Sequence, residues 1–151
     1  MKHNQTVTVE VGLKAIQVID LSQAKERLMF NLGWTEKETE VAIKLYRRFL
    51  ALAVKHPKAK LIPSKLVDEV WHQHVLDTQQ YPKDCNRVFG EYMHHNPYFG
   101  TTPKGKRLLP GLFKQTNDLY RLEFGKNCLV MDDRLAHLME AGSSCNGGSC
   151  D

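Results

Sequence analysis

The sequence predicts an all-α fold: a compact single-domain helical bundle of about five to six helices with an extended N-terminal arm. Three observations carry this expectation. Apolar residues recur at helical spacing over most of the chain. Capping residues, glycines and prolines punctuate those stretches where helices should start and stop. The links between them are short, which favours helices packed against their neighbours. A chain of 151 residues suits one domain and is long enough to bury a core.

Each element can be read in order. Thr6 to Val11 alternates as a strand would. With no second strand to pair with, residues 1–19 are expected to form an extended arm or edge piece. Asp20 or Ser22 can cap a helix running to about Leu32, and Gly33 stops it. Thr35-Glu36-Lys37-Glu38 is a capping-box pattern. The helix it opens reaches about His56, with Val41, Leu45, Phe49, Leu52 and Ala53 as its buried stripe. A basic loop from Pro57 to Pro63 follows. Ser64 caps a helix over 65–79, and Tyr81-Pro82 breaks the chain, with Pro82 well placed in a new first turn. That next helix is expected to run to about His95, before the turn Asn96-Pro97-Tyr98-Phe99-Gly100. Another spans about 111–124, with Leu112, Leu119, Leu122 and Phe124 apolar, and a short one covers 132–140. The helical domain is read as 20–141. The tail, 142–151, holds Cys145 and Cys150 among glycines and serines, has nothing to pack a core, and is expected to be flexible.

Composition narrows the class. The chain is 42% hydrophobic and 25% charged, as soluble globular proteins are. No apolar run approaches the roughly 18–20 residues of a membrane span, so no membrane partner is expected. The opening residues lack the apolar core of a signal peptide, and the chain is read as cytoplasmic. A net charge of +4 supports only weak, salt-sensitive nucleic-acid binding. Cys85 and Cys128 sit among apolar neighbours and read as small core residues.

Chemistry concentrates in one block. Trp71-His72-Gln73-His74 and Met93-His94-His95-Asn96 place four of the seven histidines between 72 and 95. Imidazole is the commonest protein metal ligand and titrates near neutral pH. Successive helical residues turn by about 100°. On that basis His74 falls in the apolar face of Leu66, Val67, Val70 and Trp71, while Asp68 and His72, four apart, can touch on its flank. In the helix that follows, Glu91 and Asp84 share a bearing with His95, and His94 points away from the apolar face. If the two helices run antiparallel, Asp68 and His72 face His95. The candidate metal ligands are therefore Asp68, His72, His74, His94 and His95. Such a set suits a divalent transition metal, zinc or iron. No GxSxG, Walker, dinucleotide, HExxH or CxxC pattern is present to name a reaction.

Further residues of this block carry a resemblance. Pro63-Ser64, Val67-Asp68, Trp71-His72, His74 and Leu76, then Tyr81 with Asp84-Cys85, then His94-His95 and Pro97-Tyr98-Phe99-Gly100 resemble the glycine-rich domain-containing protein-like family, in its short bacterial members. The similarity covers about 40–100, where the D-x-x-W-H-x-H core is unusual. The family has no agreed activity. Its longer plant members imply stress responses and RNA binding through a glycine-rich region that this sequence lacks.

The resulting expectation is a small protein with a His/Asp metal site, whose status as an enzyme is left open. If it is an enzyme, metal-activated water or dioxygen chemistry fits the ligands. The alternative is a non-enzymatic interaction module, binding protein or RNA, in which the histidines are structural. There the basic residues Lys55, Lys58, Lys60 and Lys65, or Lys104-Gly105-Lys106-Arg107, would meet an acidic partner. A small molecule or a protein is the expected partner.

Overall fold

Thr8 sets the first element. Its hydroxyl accepts from the Val11 amide at 3.3 Å and opens a helix, α1 (Val9–Gln17). The computed structural model describes residues 7–125, and no strand occurs among them. The expected arm over 1–19 therefore contains a helix. The valines that produced the strand-like alternation, Val9 and Val11, lie half exposed, whereas Gly12 and Ile16, four apart, face the core.

The next helices start and stop where their caps dictate. Asp20 accepts from the Ser22 amide at 2.9 Å before α2 (Ser22–Leu32), and Gly33 ends that helix at φ 70. The Thr35–Glu38 capping box opens α3 (Glu36–Lys55), with both reciprocal hydrogen bonds made. Ser64 accepts from the Val67 amide at the start of α4 (Lys65–Leu76). A short link leads to α5 (Gln80–Phe89), in whose first turn Pro82 lies. This helix ends well short of the expected His95. Gly90 adopts φ 75, a left-handed conformation that costs glycine nothing, and its amide closes on the Asn86 carbonyl. His94 and His95 thus lie on a loop.

The last described helix, α6 (Pro103–Phe124), starts earlier than the expected 111. Thr102 caps it and Pro103 fits its first turn. Pro110 sits inside it without ending it. Pro110 and Lys106, whose carbonyl it cannot bond, are both exposed, so water can take the missing donor's place. Leu122, expected on the apolar face, is exposed, and Thr116 and Tyr120 are buried instead. The expected helix over 132–140, the 142–151 tail and Cys128 lie outside the described residues.

α3 is the hub. It packs against α1, α2, α4 and α6, while α1 also crosses α5 and α4 contacts α2 and α5. Its C-terminal half is accordingly buried on several sides, with Tyr46, Phe49 and Leu52 fully enclosed. Val41 and Ala53 from the expected stripe are only partly buried. Arg47 donates to the carbonyls of Ile16 and Ile19 and so satisfies the C-terminal end of α1. Gly12 lets the α1 and α5 backbones approach. A Cβ there would stand 2.5 Å from the Val88 carbonyl oxygen. α6 is tied on by Glu123, which takes Lys55 at 2.7 Å and His56 at 2.9 Å, and by Arg48 donating to the Tyr120 hydroxyl at 2.6 Å. Among the described residues, no helix is long and apolar enough to cross a membrane.

Candidate functional site

A chain of hydrogen bonds carries His95 to Asp68. The Trp71 indole of α4 donates to the Tyr81 hydroxyl of α5 at 2.8 Å. Tyr81 in turn donates to the Met93 carbonyl, which pins the loop two residues before His95. Burial pushes the Tyr81 phenol well up, which keeps it protonated as that donor. The His95 ring then rests edge-on against Trp71, centroids 4.6 Å apart at 86°. Its Nε2 lies 2.7 Å from Asp68 Oδ1. The imidazole is nearly enclosed, at 9% exposure, while the carboxylate is half open to solvent.

This pair has a definite chemical consequence. A carboxylate only accepts, so His95 Nε2 carries the hydrogen and donates it. In the neutral ring the lone pair is then on Nδ1. The pair lines an open cleft of about 340 Å³. One wall is the loop at Lys60–Pro63, which α6 braces because the Ile62 amide donates to Thr116 Oγ1 at 2.9 Å. The other is the turn at Pro97 and Phe99. Trp71 forms part of the lining, and the Lys60 ammonium stands 4.1 Å over the Phe99 ring.

The five sequence candidates separate. Asp68 and His95 come together, although Asp68 bonds His95 and not the His72 four residues along its own helix. His72 is exposed, with its ring centroid 6.1 Å from that of His95. His94 is also exposed, lies against Tyr92 at 4.7 Å and lines the same cleft. His74 goes elsewhere. It is 4% exposed, its Nδ1 meets the Tyr46 hydroxyl at 2.9 Å and its Nε2 meets Asp84 Oδ2 at 2.9 Å. Both ring nitrogens being occupied, His74 is a structural residue between α3, α4 and α5. Burial lowers its pKa against the opposing pull of Asp84. Asp84, on the His95 bearing if the helix had continued, serves His74 instead. Among the described residues, no three His, Cys, Asp or Glu side chains are grouped to hold a metal ion. Cys85 is a buried free thiol, and burial raises its pKa, as suits a packed cysteine.

Comparison with known proteins bears on this arrangement. Residues 16–107, more than half of the chain, match the model of the UCP032817-like family. The chain belongs to the UCP032817-like family. The resemblance to the glycine-rich domain-containing protein-like family is thereby corrected: the matching family is a different, uncharacterised one, and nothing indicates a glycine-rich domain. The quoted motifs lie inside the matched residues, and the short glycine-bearing tail lies outside them. No curated protein and no solved structure matches the chain. The UCP032817-like region runs from the last turn of α1 into the start of α6 and so contains Asp68, Trp71, Tyr81 and His95.

Sequence reasoning missed two partnerships. Tyr46 is 28 residues from His74, and only its place four after Ala42 on the buried stripe of α3 hinted that its hydroxyl would need a partner inside. Lys60 over Phe99 joins two loops and leaves no trace in local spacing.

Proposed function

We propose that this protein binds a small molecule in the cleft at Asp68 and His95 and that His95 acts on it as an acid–base group. The observation that carries this is the 2.7 Å contact between Asp68 Oδ1 and His95 Nε2 at the lining of that cleft. A carboxylate that holds one imidazole nitrogen sets the tautomer and aims the other nitrogen, which is how histidine is prepared for proton transfer. The volume falls at the lower end of the range for small-molecule sites, about 300–1,000 Å³.

A fragment library screened by NMR on the full chain tests the reading. Binders should perturb the Trp71 indole signal and the His95 ring, and His95→Gln, with its fold checked by circular dichroism, should weaken them. Binders that gather elsewhere, or that ignore His95→Gln, refute it.

A second reading is favoured by one distance. The His72 and His95 rings are 6.1 Å apart. Two bonds of about 2.0–2.1 Å to a zinc ion can span such a gap once the exposed His72 turns. Asp68 would then orient His95 as a ligand, as carboxylates behind zinc-bound histidines do. Calorimetry with zinc and with iron(II) checks this. Micromolar binding lost in both His72→Ala and His95→Ala supports the ion, and binding that survives both sinks it.

A further inference from the structure

We propose that the ligand of the Asp68–His95 cleft is an aliphatic compound with an uncharged donor head, a primary amide or an alcohol, whose chain lies in a second cavity beside that cleft. This deepens the small-molecule reading and rests on it.

The second cavity, of about 490 Å³, lies where the start of α1 meets the ends of α3 and α5. Val9, Val54, Val88, Phe89 and Met93 line it. Val9 is left 49% exposed there. Gly12 keeps the space narrow, because it lets α1 close on Val54 and on the Val88 carbonyl. The polar lining leaves these walls clear. His56 is already bonded to Glu123 at 2.9 Å, and Glu91 and His94 reach solvent. Apolar walls of this kind bury the body of a small ligand.

The two cavities meet along a shared border. Lys60, Leu61, Trp71 and His94 line both. Trp71 is the fixed member, 7% exposed and held by its hydrogen bond to Tyr81 at 2.8 Å. Lys60 and His94 are exposed, so their side chains can yield. The hydrogen bond from Tyr81 to the Met93 carbonyl pins the loop that carries His95, and Met93 itself walls the second cavity. One device thus builds both parts. A ligand whose head meets His95 has the Trp71 ring beside it and apolar walls beyond.

Charge and tautomer set the head. Asp68 lines the cleft together with Lys60 and Lys65, so a charged head of either sign meets a like charge. The neutral His95 ring gives its hydrogen to Asp68 and keeps a lone pair on Nδ1, which accepts from an O–H or N–H group.

NMR titration of the full chain with butanamide, hexanamide and octanamide tests the chain. Each fully buried methylene tightens binding roughly fourfold, so octanamide should bind at least about tenfold more tightly than butanamide. Shifts should appear at the Trp71 indole and at the Val54 and Val88 methyls. Val9→Asp, with its fold checked by circular dichroism, should reduce the gain with length and leave butanamide unchanged. N,N-dimethylhexanamide has no N–H and should bind about fivefold more weakly than hexanamide. Hexanamide ahead of 1-hexanol assigns the amide, and the reverse order assigns the alcohol. Equal binding along the series, or a gain with length whose shifts avoid Val54 and Val88, overturns the aliphatic class and leaves the small-molecule site standing. Equal binding of the dimethyl amide overturns the donor head. Octanamide held as tightly by Val9→Asp overturns the place given to the chain. Amides that fail while other fragments fill the cleft overturn this proposal alone. Failure of every amide and every fragment to perturb the cleft overturns both readings.

Discussion

Replacing His74 with leucine should be among the costliest single changes in this protein. Three buried groups form one chain there: Tyr46 at 0% exposure, His74 at 4% and Asp84 at 2%. The imidazole bridges the other two at 2.9 Å on each side. Leucine fills much of the volume but leaves the Tyr46 hydroxyl without its acceptor and Asp84 Oδ2 without its ring partner. Gln80 still donates to Asp84 at 2.9 Å, while Arg87 stands off at 3.9 Å. Breaking a buried charge-bearing pair by removing one partner costs about 3–5 kcal/mol. Set against a total stability of about 5–15 kcal/mol, that is a large share. With a urea slope of about 1–3 kcal/mol/M, the midpoint should fall by roughly 2 M. His74→Leu joined to Asp84→Leu and Tyr46→Phe should recover part of the loss, because no polar group is then stranded. Urea unfolding of the single and triple variants decides the matter. A single-variant loss below about 1 kcal/mol, or a triple variant no better than the single, would refute a buried relay that holds three helices together.

Further outcomes follow from the same structure. His74 is held below its usual pKa, first by burial, so the unfolded chain takes its proton first as pH drops below about 6.5. Stability should therefore be full above that pH and decline below it, and His74→Leu should flatten this part of the profile; an unchanged slope counts against the assignment. Gly12→Ala puts a Cβ 2.5 Å from the Val88 carbonyl, and forcing α1 off α5 should cost about 1–3 kcal/mol in thermal or urea unfolding. A neutral result would mean the two helices separate freely. Gly90→Ala forces a side chain into φ 75 and should cost about 1–2 kcal/mol, while also loosening the loop that carries His95. Its hydrogen-exchange protection at Met93 and His95 should fall; unchanged exchange would detach the glycine stop from the site. Thr35→Ala removes the capping box of α3 and should cost about 1 kcal/mol, a loss that Thr35→Ser should largely spare.

The sequence by itself determined the class of fold and most helix starts. Thr35 with Glu38, Ser64, Asp20 and Gly33 act on amides only a few residues away, and such short-range hydrogen bonds and backbone preferences are written in local spacing. It also placed His74 in a core face, since helical periodicity states which side a residue occupies, whereas the approach of His95 to Asp68, expected from two antiparallel helices, is made by a loop. Where local signals competed, the reading failed. The alternating valines suggested a strand where Thr8 caps α1, the helix expected to reach His95 stops at Gly90, and the helix expected from 111 starts at Pro103, since the exposure of Pro110 lets α6 run through it. Only the tertiary structure decided partners. Asp68 had His72 four residues away yet bonds His95, because the Trp71–Tyr81–Met93 chain brings the loop to it. His74 was drawn to Tyr46 and Asp84 rather than to an ion. Hydrogen bonds inside a packed core go to whichever groups the packing delivers within about 3 Å, and that delivery depends on how all the helices close around α3 rather than on any one stretch of chain.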